Sequence, residues 1–418
     1  MIQAVGIDFG TTNSVVALRH DDGTTNVLRH GPTLADVFRT VLCFWSEEAR
    51  GRQHLHHAAG PAAIDAYLDD PLDSRLIMSM KTYLAQRSFT ETRVFGRIFT
   101  LERLVATFLR DLLADAPTAP RIVVGRPVRF AGEFADDAFG AERLRGACAE
   151  AGLPDVTLML EPAAAGARFA STLTEPATVL IGDFGGGTSD FSLLRFDPRD
   201  LSTPGAGVTP LGHAGIGIAG DAFDFRIIDQ AISPLLGKHD TYKVMGKPMP
   251  VPAEFYAGFA RWHRLSLMRA PRTLRGIADV ARTAEHPERL HQLITLIEDG
   301  LGYALYQAVS GAKAALSSAD QATLRFRHKS FEVERTLTRA EFEHWIAPDL
   351  ARLGATVDQA LLDADLPAKA VDKIFLTGGT AFVPAVRRLF ADRFGADRLV
   401  GGGEFVSVAE GLALAATG

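Results

Sequence analysis

The sequence predicts an α/β protein with two related lobes, and two observations carry that prediction. Apolar runs of strand length alternate with segments of helical periodicity along most of the chain, the pattern of α/β layers. One strand–turn–strand signature also occurs twice. Residues 4–18 read AVGIDFGTTNSVVAL and residues 179–194 read VLIGDFGGGTSDFSLL. Each is an apolar run, then Asp-Phe-Gly, then small or hydroxyl residues, then a second apolar run, as in a hairpin with a glycine turn. Asp8 and Asp183 hold equivalent places 175 residues apart, a spacing that fits a duplicated lobe rather than a short-period solenoid.

The other elements follow from local pattern. Residues 101–115 put Leu101, Leu104, Val105, Phe108 and Leu112 on one helical face. RIVVG at 121–125 reads as a buried strand, and 133–151 as a helix stopped by Gly152. TLMLEP at 157–162 is a strand ending in Glu161, with Pro162 opening the next helix. Segments 221–236, 253–270, 287–317 and 338–363 read as helical. TLRFRH and FEVERTL read as a hairpin, KIFLTGG at 373–379 as a strand entering a Gly378-Gly379 turn, and Pro384 as the start of a helix. The expected division is a first lobe over 1–175 completed by a C-terminal helix over 404–418, and a second lobe over 176–403. A mostly helical subdomain is inserted at 230–308.

Composition bounds the function. With 418 residues the chain is long enough for two or three domains. It is 47% hydrophobic and 22% charged, which is a globular composition. The net charge of -6 gives no basic footprint for nucleic acid. No apolar run reaches the roughly 18 residues of a membrane span, and the N-terminus lacks a secretory pattern. Cys43 and Cys148 are too few for a disulfide framework, so a reduced, cytoplasmic setting is expected. Among 44 basic residues only 8 are lysines, which makes Lys81 conspicuous.

Motif chemistry points to polyphosphate. No GxxxxGK[ST] loop occurs, and the two DFG triplets lack the companion motifs of a protein kinase. Gly215–Gly220 satisfies G-x-G-x-x-G, a weak dinucleotide signal without a well-placed acidic partner. The paired hairpins say more. A turn of small residues leaves backbone N–H groups uncovered for phosphate oxygens. A carboxylate at the adjoining strand end can take a hydrated Mg²⁺. His54, His56 and His57 in RQHLHH read as a solvated loop rather than a metal site. The six arginines from Arg261 to Arg282 read as a solvated helical face.

IDFGTTNS, DFGGGTSD and LTGGTAFVP together resemble the sugar kinase/actin/heat-shock ATPase superfamily. GRPVRF, LEPAAAG and AGDAFD make the chain similar to its DnaK-type heat-shock chaperones, and AGDAFD accounts for the G-x-G-x-x-G match. MSMKTYL, ARWHRLSLMRAP, PERLHQLITLIEDGLGYAL and FVSVAEGLALA bring it nearest to the YegD-like branch of chaperone-related proteins. The resemblance implies an actin-like ATPase fold of duplicated ribonuclease-H-like domains, with ATP or ADP and Mg²⁺ as cofactors. Asp8, Glu161 and Asp183 would serve the metal and its water shell. Lys81, Glu161, Asp183 and Thr188 would act on the attacking water and the γ-phosphoryl group. Gly10, Thr11, Thr12 and Asn13 would face the phosphates with Gly185, Gly186 and Gly187. Gly217, Gly220, Asp221, Lys313, Ser317, Gly378, Gly379 and Thr380 would complete the nucleotide contacts.

The sequence departs from that family in three places. Where chaperones carry Glu-x-x-Lys-Arg-x-x-Leu-Ser, this chain has Ser310, Lys313, Ala314 and Ser317, so a base-stacking arginine worth about 1 kcal/mol is missing. An Asp expected before the last helix is absent from Phe405-Val-Ser407. No peptide-binding β-domain is expected after the last helix, and the expected protein partner or client would then be engaged otherwise. The implied function is a slow Mg²⁺-dependent ATPase working as a nucleotide-driven switch. The alternatives are a nucleotide-binding scaffold with negligible hydrolysis and a small-molecule kinase with Glu161 or Asp190 as base.

Overall fold

The computed structural model describes residues 1–31, 35–49, 52–131, 135–170, 173–200, 207–260, 264–265, 268–328, 331–400 and 408–416. The chain forms two compact units. The first comprises Met1–Gly217, Ala355–Gly378 and Phe390–Gly418; the second comprises Ile218–Gly354 and Gly379–Leu389.

The repeated sequence signature is repeated as topology inside the first unit. Strand Ile2–Phe9 lies parallel to Ile122–Arg126 on one side and antiparallel to Asn13–His20 on the other. Strand Ala177–Phe184 likewise lies parallel to Lys373–Thr377 and antiparallel to Ser189–Phe196. In both sheets a further antiparallel strand follows, Thr25–Val27 in one and Val208–Ile216 in the other. Ala4–Ile7 and Ala177–Gly182 are buried throughout, which explains why these strands read as continuous apolar runs rather than alternating ones. Register sets Asp8 opposite Val15 and Asp183 opposite Asp190.

Helices cover the first sheet closely. Helix Val408–Ala415 rests on Gly6, where an added Cβ would lie 2.1 Å from the Ala409 carbonyl oxygen. Gly411 of that helix meets helix Glu161–Ala170, where a Cβ would lie 2.0 Å from the Ala164 carbonyl oxygen. Helix Leu101–Leu112 buries the five residues that its periodicity marks, and Thr100 caps it by accepting the Arg103 N–H.

Three local expectations are corrected. RQHLHH is not a loop: Arg52–Ala59 is a strand paired antiparallel with Val41–Ala49, which also pairs with Ser74–Met78. Its histidines hid the alternation, and the partner strand decides the conformation. The 230–308 segment is not almost wholly helical, because Thr241–Val244 and Lys247–Pro250 form a hairpin. Its two-residue turn holds Met245 and Gly246 at φ 48° and 79°, a left-handed geometry suited to hairpins. The 287–317 helix is two helices, Pro287–Glu298 and Gly302–Ser318, parted at Gly300 with φ 68°.

Hairpin Gln321–His328/Phe331–Thr338 and helices Arg339–Asp363 and Pro384–Phe394 form where the sequence predicts them. Of the arginine stretch, Arg264, Arg272, Arg275 and Arg282 are exposed, while Arg269 donates to the Ile297 carbonyl at 3.1 Å. Arg261–His263 and Phe405–Ser407 lie outside the described residues. Among the described residues no helix is long and apolar enough to cross a membrane.

Two glycines give opposite expectations. Gly6→Ala forces a Cβ into helix backbone and is expected to cost about 1–3 kcal/mol. A Cβ at Gly276, inside helix Pro271–Ala281, meets nothing within 4 Å, so Gly276→Ala is expected to stabilise by about 0.5–1 kcal/mol. Urea unfolding of the two variants checks both signs.

Candidate functional site

The site is assembled within the first unit from the two glycine turns. In the first, a Cβ at Gly10 would lie 2.0 Å from the Asn13 carbonyl oxygen, so the tight return to Asn13 needs glycine. The Asn13 side chain accepts from Arg39 at 3.2 Å. In the second, the Gly185 N–H donates to the Thr188 carbonyl at 2.9 Å and closes the hairpin. The two turns meet: a Cβ at Gly186 would lie 2.7 Å from Thr12 Cγ2. Gly378, at φ 87°, closes against the second hairpin, where a Cβ would lie 2.0 Å from the Phe184 carbonyl oxygen. Thr11, Gly187 and Thr188 are half-buried on these turns.

Beneath the turns, one ammonium faces three carboxylates. Lys81 sits on the short turn Met80–Tyr83, entered through Ser79 at φ 57°. It is 9% exposed, and its Nζ donates to Glu161 Oε1 at 2.6 Å. Glu161, 8% exposed, starts helix Glu161–Ala170 and passes over Gly125, where a Cβ would lie 2.8 Å from its Cγ. Asp183 accepts from Thr377 Oγ1 at 3.2 Å.

Electrostatics record the imbalance. Burial, then the Glu161 charge, push the Asp8 carboxyl up to about 8; Lys81 pulls against this and Asp183 adds to it. Burial also raises Glu161 and Asp183 against the pull of Lys81. For Lys81 burial works downward, but Glu161, Asp8 and Asp183 together outweigh it and keep the ammonium protonated.

The donor set suits a hydrated hard cation. Among the described residues no three His, Cys, Asp or Glu side chains are grouped to hold a metal ion directly. Mg²⁺ keeps several of its waters and is commonly held through one or two carboxylates plus phosphates, which accords with three carboxyl groups gathered around one ammonium.

Two features of the site escaped the sequence reading. Arg143, buried on helix Asp137–Glu150, donates to the carbonyls of Tyr83 and Phe89 at 3.4 and 3.0 Å and pairs with Glu102 at 2.6 Å. It thereby holds the segment that carries Lys81. A cavity of about 30 Å³ beside Glu161, Asp183 and Thr377 is also lined by Asp190, Ser192 and His213. Of these, Asp190, the last residue of DFGGGTSD, was named from sequence only as a base for the kinase alternative, and Ser192 and His213 were not named.

The remaining expected contacts divide between the units. Gly217 ends the first unit. Gly220, Asp221, Lys313, Ser317, Gly379 and Thr380 belong to the second. There Lys313 Nζ donates to the Gly220 carbonyl at 3.0 Å and to Asp224 Oδ2 at 2.9 Å, and Tyr306 Oη donates to Asp221 Oδ1 at 2.5 Å. Asp224 is 1% exposed, so the Lys313 charge is engaged by a buried partner.

Comparison with known proteins finds heat-shock chaperones. A profile described as Hsp70 protein matches residues 299–417. The chaperone protein DnaK of Deinococcus deserti is 26% identical over 417 residues, covering 94% of this chain and 56% of that protein. DnaK of Thermus thermophilus is 26% identical over 411 residues, covering 94% and 57%. The chain is similar to proteins of the DnaK/Hsp70 type. A further relative is the stromal 70 kDa heat shock-related protein of Pisum sativum, 26% identical over 420 residues and covering 94% of this chain and 50% of that protein. The chain thus spans little more than half the length of these DnaK/Hsp70 relatives. Its mixed α/β architecture is that of the actin-like Hsp70 ATPase fold.

The raised Asp8 carboxyl sets a pH dependence. A carboxyl whose folded pKa lies above its free value contributes its stability below about 4 and loses it as pH rises through about 8. In EDTA-treated, nucleotide-free protein, Tm is expected to fall between those limits, and Asp8→Asn is expected to flatten the fall. Thermal unfolding against pH checks this, and equal slopes in both proteins would contradict it.

Proposed function

We propose that this chain binds ATP and ADP with Mg²⁺ and hydrolyses ATP slowly, as a nucleotide-driven conformational switch read by a protein partner or client. The meeting of the two glycine turns, with Asp8, Glu161 and Asp183 gathered around Lys81, carries the reading. The turns offer backbone N–H groups to phosphate oxygens from two sides. In this reading Gly10, Thr11, Thr12 and Asn13 contact the phosphates opposite Gly185, Gly186, Gly187 and Thr188. Asp8, Glu161 and Asp183 take the waters of Mg²⁺, which when bound offsets phosphate charge. Lys81 steadies the attacking water and the charge that develops on the γ-phosphoryl oxygens. Phosphoryl transfer needs positioning and electrostatic stabilisation more than covalent chemistry, and these groups supply both. Gly217, Gly220, Asp221, Lys313, Ser317, Gly378, Gly379 and Thr380 complete the nucleoside side.

Turnover is the test. Asp183→Asn is expected to lower Mg²⁺-dependent phosphate release about 100-fold, the scale of losing one electrostatic group at a reacting centre. Unchanged turnover would overturn the mechanism.

One observation favours a second reading, a nucleotide-binding scaffold with negligible hydrolysis. Lys313 is already tied to Asp224 and Gly220, and its neighbours Ser310 and Ala314 are too small to clamp a base. Weak base selection is therefore expected, with ATP and GTP within about tenfold in Kd, since the missing arginine contact is worth about 1 kcal/mol. Calorimetric titration with ATP, ADP and GTP, set beside turnover, separates the readings. Binding without phosphate release favours the scaffold.

A further inference from the structure

The sheet that ends at Asp183 places its side chains in rows. Register runs one row through Thr377, Asp183, Asp190 and Gly215, and the next through Phe375, Ile181, Ser192 and His213. Gly215 leaves room for its neighbour, because a Cβ there would lie 2.5 Å from Asp190 Oδ1. Ser192 Oγ lies 3.2 Å from His213 Nδ1, and His213 Nε2 lies 3.7 Å from Asp190 Oδ1. All three side chains line the cavity shared with Glu161, Asp183 and Thr377, whose volume of about 30 Å³ suits a single water.

Chemistry gives this trio a direction. A buried serine hydroxyl that donates to Nδ1 leaves the ring hydrogen on Nε2, the nitrogen that faces Asp190. The ring is neutral: burial and then Arg129 hold it below the usual histidine range, outweighing Asp137 and Asp363. The 3.7 Å contact is longer than a hydrogen bond, and contacts of this kind commonly tighten when a reacting group is bound. The Asp190 side chain is 43% exposed and that of His213 is 11% exposed, so the carboxylate is reachable from solvent while its anchor is largely shielded.

We propose that Ser192 and His213 are positioning residues for Asp190. The serine sets the imidazole tautomer, the Nε2–H holds Asp190 Oδ1, and the second carboxylate oxygen orients the attacking water by a hydrogen bond. The effect on turnover rests on the hydrolytic reading above; the effect on the ring does not.

The experiment therefore has two arms on the full chain. Long-range ¹H–¹⁵N imidazole spectra of the nucleotide-free protein are expected to show His213 with its hydrogen on Nε2. Ser192→Ala is expected to produce a tautomer mixture, and Asp190→Asn to shift the Nε2 resonance. A hydrogen on Nδ1, or a ring indifferent to both substitutions, overturns the proposal even if the protein never hydrolyses ATP. In steady-state kinetics His213→Phe is expected to lower kcat about tenfold with KM for Mg-ATP within twofold, and His213→Gln to recover part of the loss. The double variant with Asp190→Asn is expected to lose no more than Asp190→Asn alone, since residues acting through one another are non-additive. Additive losses overturn the positioning role. Should wild-type turnover be absent, the hydrolytic reading fails while the spectra still decide the relay; should His213→Phe not fold, the spectra and His213→Gln decide it.

Discussion

A single buried ammonium set among three carboxyl groups, Glu161 buried and Asp8 and Asp183 half-buried, is the constraint on which the site depends. Lys81 is bound directly to Glu161 at 2.6 Å, and Asp8 and Asp183 lie within its field. Burying an ion is costly unless it is paired, and with one ammonium for three carboxyl groups Asp8 is pushed up to about 8 and keeps its proton at neutral pH. The protein tolerates this crowding because strand ends, helix starts and an arginine-braced turn hold the groups in place. Gathered carboxyl groups of this kind suit hard, hydrated cations.

The geometry around that cluster depends on absent side chains. Gly6 and Gly411 let helices approach the sheet and each other at backbone distance, and Gly125 gives Glu161 its passage. Gly186 lets the second turn reach Thr12, and Gly215 lets the Asp190 carboxylate lie over its neighbouring strand. Small residues at these positions bring the turns together, and the functional side chains project from the remainder.

Much of the fold was legible in sequence, and the failures share a cause. The DFG echo announced two strand–turn–strand units because buried central strands read as apolar runs whatever their partners. Arg52–Ala59 was not legible, since a histidine-rich strand shows no hydrophobic alternation and owes its conformation to Val41–Ala49. Thr241–Pro250 was missed because Val-Met-Gly-Lys does not carry the usual Asn-Gly or Asp-Gly turn signal, though Met245 adopts the same left-handed geometry.

For the site, sequence alone determined the carboxylate-ended strands, the glycine turns and the helix opened by Glu161-Pro162, because each is a local matter of backbone freedom and residue type. It also marked Lys81 by the scarcity of lysine. Tertiary structure alone decided which charges meet and which are already engaged. Arg143 lies 62 positions beyond Lys81 in the chain yet braces its turn, Asp224 takes up Lys313, and cross-strand register sets Ser192, His213 and Asp190 on one cavity wall. Such pairings depend on long-range packing and sheet register, and the spacing of residues along a chain does not encode the distances that Coulomb and hydrogen-bond energies require.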